Sequence, residues 1–561
     1  MRDDGRKAGR LWPEGLARGV VLWAGAAALG YLAVTALATL AHNSGPGKEI
    51  VLLDPQAPLP GALGAALLSA LLCGAAGLLA RGAPNARRRL DLGCGLVCAC
   101  CFGLALWWGL QSDFIPEGTD MDWVRQATLD LLNGQYSGLH NEYLIRHPYQ
   151  IGTALYFEGV FRLFGTTATW AVSLTNALWW AVSVYCGYRL TGSMAGTALL
   201  PQGVYLLLAA VCLPPLLYSP IFYGDVVAIG CSFLAVWLFV QLRQTQRFRY
   251  LAGVCVVLLA GTLVRNTVLL TALAILLIQC FAPACTQGPA PAWGRAKAFY
   301  AAALLAAVFW ACLHSDAFLN RYMQFRAGFS FGPGLPKSTF LVMGSKESRR
   351  GCGWFDGWQD WVAEATDGDM ELADLKSRIE VRRQYRAFAD DPAYAAGFFH
   401  KKLASEWADP TFESLLSYSN IWDGEGRIQG SAFMASVYDG ALRPWVIAWT
   451  DGYQNLVYLA ALAFVLGQCL GRPAAQKAPL WALLPLVVFL GGFSFYIFWE
   501  AKGRYCLPFF LMLLPPAACG TPVLWQALRA VFARAAGAAG RLLGRKAPAK
   551  DLDAPPGENQ L

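Results

Sequence analysis

Two aspartates, Asp120 and Asp122, stand between an apolar run (residues 92–111) and a stretch (123–133) whose pattern predicts a short amphipathic helix. Aspartate has an ordinary pKa of about 3.9, so both carboxylates are ionised at neutral pH and could accept a proton from a hydroxyl group. In the simplest structural interpretation, Thr119 or Asp120 caps the helix and the other acids are solvated. Because capping accounts for only one acid, we predict that the pair belongs to a functional site.

A second polar string follows the predicted helix. It reads YLIRHPYQ from Tyr143 to Gln150, and it combines aromatic, basic and amide side chains directly before another amphipathic run (151–164). His147, Tyr149 and Gln150 are therefore further candidates for the same site. The acids and histidines of these segments could also hold a divalent metal, but no ligand spacing in the sequence supports one.

Arg265 separates two apolar runs, 250–264 and 266–282. A guanidinium group in the middle of hydrocarbon is costly, so we predict a helical hairpin whose tip lies in a polar cavity. The alternative is one long tilted helix from which Arg265 snorkels to the interface.

Near the end of the chain the string EAKGRY places Glu500, Lys502, Arg504 and Tyr505 beside another apolar run. The forked donors of arginine match the oxygens of a phosphate group, which makes Arg265 and Arg504 candidate phosphate ligands. The structural alternative for Lys502 and Arg504 is that they are interfacial anchors.

The elements that position these residues are predicted to be membrane helices. Of the 561 residues, 56% are hydrophobic and only 15% are charged, which excludes a single water-soluble globule. The sequence predicts an all-α polytopic membrane protein with about twelve transmembrane helices. The apolar runs lie near residues 17–41, 60–81, 92–111, 168–190, 198–217, 224–242, 250–264, 266–282, 298–314, 444–470, 478–498 and 505–526.

The net charge of +8 is placed along the chain as a topology signal and does not indicate nucleic-acid binding. Basic residues flank the first and last runs, so both termini are predicted to be cytoplasmic, and the segments 112–167 and 315–443 fall on the opposite side. The predicted divisions are a basic segment with two added helices (1–91), a transmembrane core (92–314), an extracytoplasmic cap (315–443), C-terminal helices (444–526) and a basic tail (527–561).

The predicted outer segments contain no Asn-x-Ser/Thr acceptor, so nothing indicates passage through a glycosylating lumen, and a bacterial plasma membrane is the expected location. The sequence also contains no P-loop and no His-Glu-x-x-His string, which are signatures of soluble enzyme classes.

In their order, these motifs resemble the GT-C fold of integral-membrane glycosyltransferases, in the branch of protein O-mannosyltransferases and aminoarabinose transferases. The resemblance covers the layout of roughly residues 92–526. Where the family usually has Asp-Glu, this chain has Asp120-Met121-Asp122, and the spacing to Ala127 is one residue short. The later matching features are Tyr223-Gly224-Asp225, Arg265 and the string from Glu500 to Tyr505.

The resemblance implies an inverting glycosyltransferase that moves a sugar from a polyprenyl-phosphate donor to a glycan, lipid or protein acceptor on the extracytoplasmic side. It implies that Asp120 is the catalytic base, with Asp122 as the competing choice. The implied ligands of the donor phosphate are Arg265, Arg504, Lys502 and His147. The other site candidates are Asp225, Tyr149, Gln150, Glu500 and Tyr505.

Two alternatives stay open at this stage. A polymerase or ligase of lipid-linked glycans would also have about a dozen crossings and a long outer loop. A secondary transporter belongs to a different class; transporters usually have paired halves with broken helices in matching places, and the sequence has no such repetition.

Overall fold

The computed structural model describes residues 4–45, 48–80, 85–111, 115, 118–281, 292–416, 430–471 and 477–542. This part of the chain is predominantly helical and has one short hairpin of two strands. From residue 543 onward, the predicted basic tail lies outside the described residues. Residues 112–114, which precede the aspartates, also lie outside them.

The elements of the N-terminal half are α1 (Asp4–Ala38), β1 (Thr39–Gly45), β2 (Lys48–Pro55), α2 (Pro58–Ala80), α3 (Ala86–Gly109), α4 (Asp120–Asn133), α5 (Glu142–Arg146), α6 (Gln150–Phe164), α7 (Thr169–Ala195), α8 (Leu200–Ala210), α9 (Leu213–Leu217), α10 (Asp225–Thr245), α11 (Phe248–Val264) and α12 (Val268–Phe281). Those of the C-terminal half are α13 (Ala292–Leu313), α14 (Ser315–Ala327), α15 (Lys337–Met343), α16 (Trp358–Glu364), α17 (Met370–Asp390), α18 (Pro392–Trp407), α19 (Ala432–Tyr438), α20 (Arg443–Cys469), α21 (Leu484–Tyr496), α22 (Gly503–Leu511) and α23 (Leu514–Leu542). Short 3-10 helices lie at Tyr136–Leu139 and Leu480–Leu483.

Fewer of the described helices than predicted are both long enough and apolar enough to cross a bilayer. In the described ranges six helical segments are both long and apolar enough to do so, and α22 with the first part of α23 makes a seventh if that pair, bent by 64°, is one span. The apolar runs at α11, α12 and Leu480–Tyr496 form shorter helices. The protein is therefore a helical membrane protein, but the predicted number of about twelve crossings is not confirmed. The six segments are Glu14–Ala38, Pro58–Leu79, Ala86–Gly109, Leu200–Leu217, Asp225–Thr245 and Ala296–Leu313.

The β1–β2 hairpin corrects the all-α prediction. The first apolar run was expected to continue as helix to residue 41, but α1 ends at Ala38 and the chain turns into an antiparallel pair that begins with Thr39 opposite Pro55. Residues of β2 alternate between exposed and half-buried positions, as a strand with one covered face does. Two backbone hydrogen bonds join the hairpin to residues far along the chain: Ala41 N–H donates to Ala408 O, and Val51 N–H donates to Arg350 O.

The chain breaks at Arg265, as the hairpin prediction requires. Helix α11 ends at Val264, Arg265 has an extended backbone (φ −153°, ψ 121°), and α12 begins at Val268. The interpretation of this region as one continuous helix is therefore wrong. The break frees the guanidinium group of Arg265 from both helix surfaces and points it toward α10, where Asp225 begins the helix.

Two long C-terminal helices, α20 and α23, pack closely at a glycine. A Cβ atom placed at Gly520 of α23 would lie 1.8 Å from the backbone oxygen of Ala460 in α20, a distance that no real Cβ contact allows. At Gly467 of α20, by contrast, the nearest atom to such a Cβ would be Val523 Cγ1 at 3.9 Å. Close backbone packing in this helix pair therefore depends on Gly520.

We expect Gly520→Ala to destabilise the protein by about 1–3 kcal/mol, because an added methyl group must push the two backbones apart. Gly467→Ala, on the facing helix, is the matched control, and it should leave stability unchanged or raise it slightly. Thermal unfolding of the detergent-solubilised protein measures both. Equal melting temperatures for the two variants would contradict the packing described here.

Candidate functional site

Helix α4 is capped by neither aspartate. Thr119 is the N-cap residue, and its hydroxyl accepts the backbone N–H of Asp122 at 3.4 Å. At the other end Gly134 adopts a left-handed conformation (φ 71°) and closes the helix, as its position predicts. Both carboxylates lie in the first turn, where the positive end of the helix dipole stabilises negative charge.

The two aspartates point to different surroundings. The Asp122 side chain is buried, and its Oδ2 accepts the N–H of Gly118 at 3.1 Å and the amide of Gln126 at 2.9 Å. These bonds tie the preceding loop to the helix. The role that its contacts support for Asp122 is therefore structural.

Asp120 faces the C-terminal part of the chain. Its Oδ2 lies 3.0 Å from Nη2 of Arg504, which stands in the first turn of α22, and 41% of the Asp120 side chain stays exposed. Burial of the carboxylate raises its pKa, but the charges of Arg504 and Lys502 outweigh that effect and lower the pKa of Asp120 to about 2. The carboxylate is therefore ionised at every physiological pH.

The two arginines share a pair of aromatic rings. The guanidinium carbon of Arg504 lies 5.1 Å from the ring centre of Tyr223 and 5.5 Å from that of Tyr505, and Arg265 lies 4.5 and 5.8 Å from the same two centres. Arg265 also pairs with Asp225 at 2.9 Å, and both side chains are less than one-tenth exposed. Cation–π contacts and paired carboxylates together offset the repulsion between the two buried cations.

The YLIRHPYQ string adds a layer of hydrogen bonds to this arrangement. The hydroxyl of Tyr149 lies 3.4 Å from Nδ1 of His147, and the amide of Gln150 donates to the hydroxyl of Tyr223. The hydroxyl of Tyr143 lies 3.2 Å from that of Tyr223. The string and the tip of α10 are thereby fixed to each other.

Glu500 and Lys502 lie on the other side of Arg504. Glu500 is buried, and burial raises the pKa of its carboxyl group. Lys502 pairs with Glu49 of β2 at 2.9 Å, and Arg350 pairs with the same carboxylate. The β hairpin that the sequence did not predict thus brings an acid to the basic cluster.

Four residues that the sequence analysis did not select belong to this arrangement: Tyr143, Tyr223, Glu49 and Glu413. The backbone N–H of Arg504 donates to Oε2 of Glu413 at 3.4 Å. Tyr223 lies two residues before Asp225, and Tyr143 lies four residues before His147, so their closeness in sequence to these candidates could have identified both tyrosines. No local pattern marks Glu49 or Glu413, because their partners lie far along the chain.

A cavity of about 650 Å³ is lined by Arg265, whereas Arg504 does not line it but lies over the ring of Tyr505, which does. Its polar lining includes Tyr149, Arg265 and Tyr505, which contact the residues around Asp120, whereas Asp120 itself does not line the cavity. The lining also includes apolar residues from the ends of α12, α13 and α21. Those residues are Leu269, Leu270, Leu313 and Phe495. The cavity therefore suits a ligand with a charged group and a long apolar part.

No group of three or more histidine, cysteine or acidic residues arranged to hold a metal ion occurs among the residues that the structure describes. The carboxylates of the site are instead engaged with arginine, lysine or backbone N–H groups.

His147 provides a test of the burial of this cluster. Burial lowers the pKa of His147 to about 4, although the charge of Asp120 opposes that shift. Because the unfolded chain binds the proton with a pKa of about 6.5, stability should be fully present above that value and should decrease as the pH falls toward 4. The variant His147→Gln should lose this part of the pH dependence, as measured by thermal unfolding between pH 7 and 4; an unchanged profile would contradict the burial of the imidazole.

No family model matches the sequence, and no curated protein matches it. Among solved structures the chain is similar to the archaeal oligosaccharyltransferase AglB from Archaeoglobus fulgidus in complex with an inhibitory peptide and a dolichol-phosphate, at 11% identity and a TM-score of 0.40. The match covers 83% of this chain and 53% of that chain, so this protein spans about half the length of AglB.

Proposed function

We propose that this protein is an inverting glycosyltransferase that moves a sugar from a polyprenyl-phosphate carrier to an acceptor hydroxyl on the extracytoplasmic side of the membrane. The observation that carries the proposal is an ionised, partly exposed carboxylate, Asp120, paired with an arginine near a cavity that is lined by both charged and apolar side chains. A lipid-linked sugar phosphate likewise has a charged part and an apolar part.

Arg265 and Arg504 bind the donor phosphate in this proposal. Nε of Arg504 is buried and has no hydrogen-bond partner among the described residues, so an oxygen atom of a bound phosphate would satisfy it. Arg265 lines the cavity and is held in place by Asp225. As the bond between sugar and phosphate breaks, the negative charge on the departing phosphate grows, and the guanidinium groups of Arg265 and Arg504 stabilise that charge.

Asp120 acts as the base. With a pKa of about 2 it is a weak base in the free protein, because Arg504 stabilises its charged form. A phosphate that draws the Arg504 donors to itself weakens this pair, and the pKa of Asp120 then rises toward the range in which a carboxylate accepts a proton efficiently. Donor binding would thus activate the base.

The reaction then balances as a single displacement. The acceptor oxygen loses its proton to Asp120 and forms a bond to the anomeric carbon. The bond from that carbon to the phosphate oxygen breaks, and its electron pair leaves with the polyprenyl phosphate. Attack from the side opposite the phosphate inverts the anomeric centre.

The apolar part of the lining receives the carrier lipid. Leu269 and Leu270 lie at the start of the short apolar helix α12, and Leu313 ends a membrane-length segment, so an isoprenoid chain could pass from the bilayer into the cavity along them. The acceptor enters on the Asp120 side, beneath the cap formed by residues 315–443. A bacterial plasma membrane with both termini in the cytoplasm is part of this proposal.

Replacing the base should abolish transfer. We expect Asp120→Asn to reduce the rate of sugar transfer by about 100-fold or more, because the amide cannot accept the proton. Asp130→Asn, near the other end of the same helix, is the matched control and should transfer at the wild-type rate. Asp122→Asn keeps an oxygen acceptor for the loop and should lose less than about ten-fold.

These rates are measured with the protein in proteoliposomes, as the transfer of labelled sugar from a polyprenyl-phosphate donor into a covalent product. Full transfer by both Asp120→Asn and Asp122→Asn would exclude the catalytic assignment. Uptake of substrate without any covalent product would favour the transporter class instead.

The proposed role of Arg504 in binding the donor phosphate can be tested with a variant that keeps its positive charge. Arg504→Lys retains a cation but loses the forked donors, so we expect kcat/KM for the lipid donor to fall by about ten-fold or more. Arg162→Lys is the control, because this arginine is exposed and pairs with Glu158 away from the site. If both variants use the donor equally well, Arg504 does not bind the phosphate.

A further inference from the structure

Helix α14 begins at the boundary of the membrane. It starts at Ser315, and a single residue separates it from the end of α13 at Leu313. Helix α13 contains one of the six membrane-length segments. One face of α14 exposes three aromatic rings at helical spacing, of which Phe325 is 91% exposed. These rings belong to Phe318, Tyr322 and Phe325. Aromatic rings collect at the interface between lipid and water, so this row marks that level.

A second helix, α17, exposes an aliphatic row that nothing in the described structure covers. Leu372, Leu375 and Ile379 lie at helical spacing, and the last two are 56% and 57% exposed. We call these three residues the α17 stripe. The opposite face of the helix is buried against the cap through Ala373 and Ser377. The stripe is therefore not part of the cap's own core.

The two helices begin on the same cavity. The first turn of α14 (Ser315, Asp316) and the N-terminal turns of α17 (Met370, Glu371, Asp374) both line the 650 Å³ cavity. The start of α17 therefore lies within the width of one cavity from the end of a membrane helix. A helix at this level that exposes leucine and isoleucine has the composition of an interfacial helix.

Cations border the α17 stripe on one side. A groove of about 660 Å³ lies beside the first cavity and is lined by Lys337, Arg378 and Arg382. The acid in this groove, Asp374, accepts the hydroxyl of Ser338 at 2.6 Å and pairs with Arg378 at 2.7 Å. Three cations against one carboxylate leave the groove positively charged.

We infer that the α17 stripe rests in the headgroup region of the bilayer and that Lys337, Arg378 and Arg382 bind the phosphate of an anionic phospholipid. The bilayer accounts for both features at once, because apolar side chains reach the acyl boundary while basic side chains meet phosphates. A soluble anionic glycan would account for the cations but would leave the aliphatic row in water. This contact would hold the cap at the membrane surface and keep the neighbouring cavity close to the lipid.

Photo-crosslinking in lipid nanodiscs tests the inference, and it requires no enzymatic activity. A benzophenone amino acid replaces Leu375 or Ile379 in the full-length protein, and Asp367, an exposed residue in the turn before α17, is the control position. With discs that contain phosphatidylglycerol, mass spectrometry should find phospholipid adducts at 375 and 379 well above those at 367. Arg378→Gln and Arg382→Gln should each reduce the share of phosphatidylglycerol in these adducts by about five-fold.

Lipid adducts at 375 and 379 no more frequent than at 367 would overturn the inference. A loss of these adducts when inorganic polyphosphate is added at unchanged lipid composition would also overturn it, because that result would assign the groove to a soluble anionic partner.

Discussion

The site depends on the neutralisation of two buried guanidinium groups that lie on the same pair of tyrosine rings. Removing one such cation from water is costly, and two close together also repel each other, so they persist only where carboxylates and aromatic faces compensate. Asp225 supplies the charge for Arg265, and Asp120 supplies it for Arg504. Each of three elements positions one of these residues. The break between α11 and α12 positions Arg265, the start of α22 positions Arg504, and the first turn of α4 positions Asp120.

The two ion pairs differ in a way that suits a binding site. The pair between Arg265 and Asp225 is almost completely buried, so it holds its guanidinium group in a fixed position. The pair between Arg504 and Asp120 has an exposed carboxylate and an arginine nitrogen without a partner among the described residues. In the proposed reaction the first pair is permanent and the second exchanges when phosphate enters, which couples donor binding to activation of the base.

Sequence patterns predicted the elements of this structure better than their connections. Apolar periodicity placed the helices, including α4, and the cost of a charge in hydrocarbon predicted the break at Arg265. The sequence could not show which of Asp120 and Asp122 contacts Arg504, because that arginine lies 384 residues after Asp120 in the chain. The sequence also did not predict the β hairpin or the role of Glu49, since the groups that contact them are Ala408, Arg350 and Lys502, far along the chain. The predicted number of about twelve crossings is not confirmed, because several of the apolar runs form helices shorter than a bilayer-spanning segment.

The most direct test of the central claim is an experimental structure of the protein with polyprenyl phosphate bound. The account predicts that phosphate oxygens lie within hydrogen-bond distance of both Arg265 and Arg504, that the isoprenoid chain follows Leu269 and Leu313, and that Arg504 has moved away from Asp120. A phosphate bound elsewhere, with the pair between Arg504 and Asp120 intact, would contradict it.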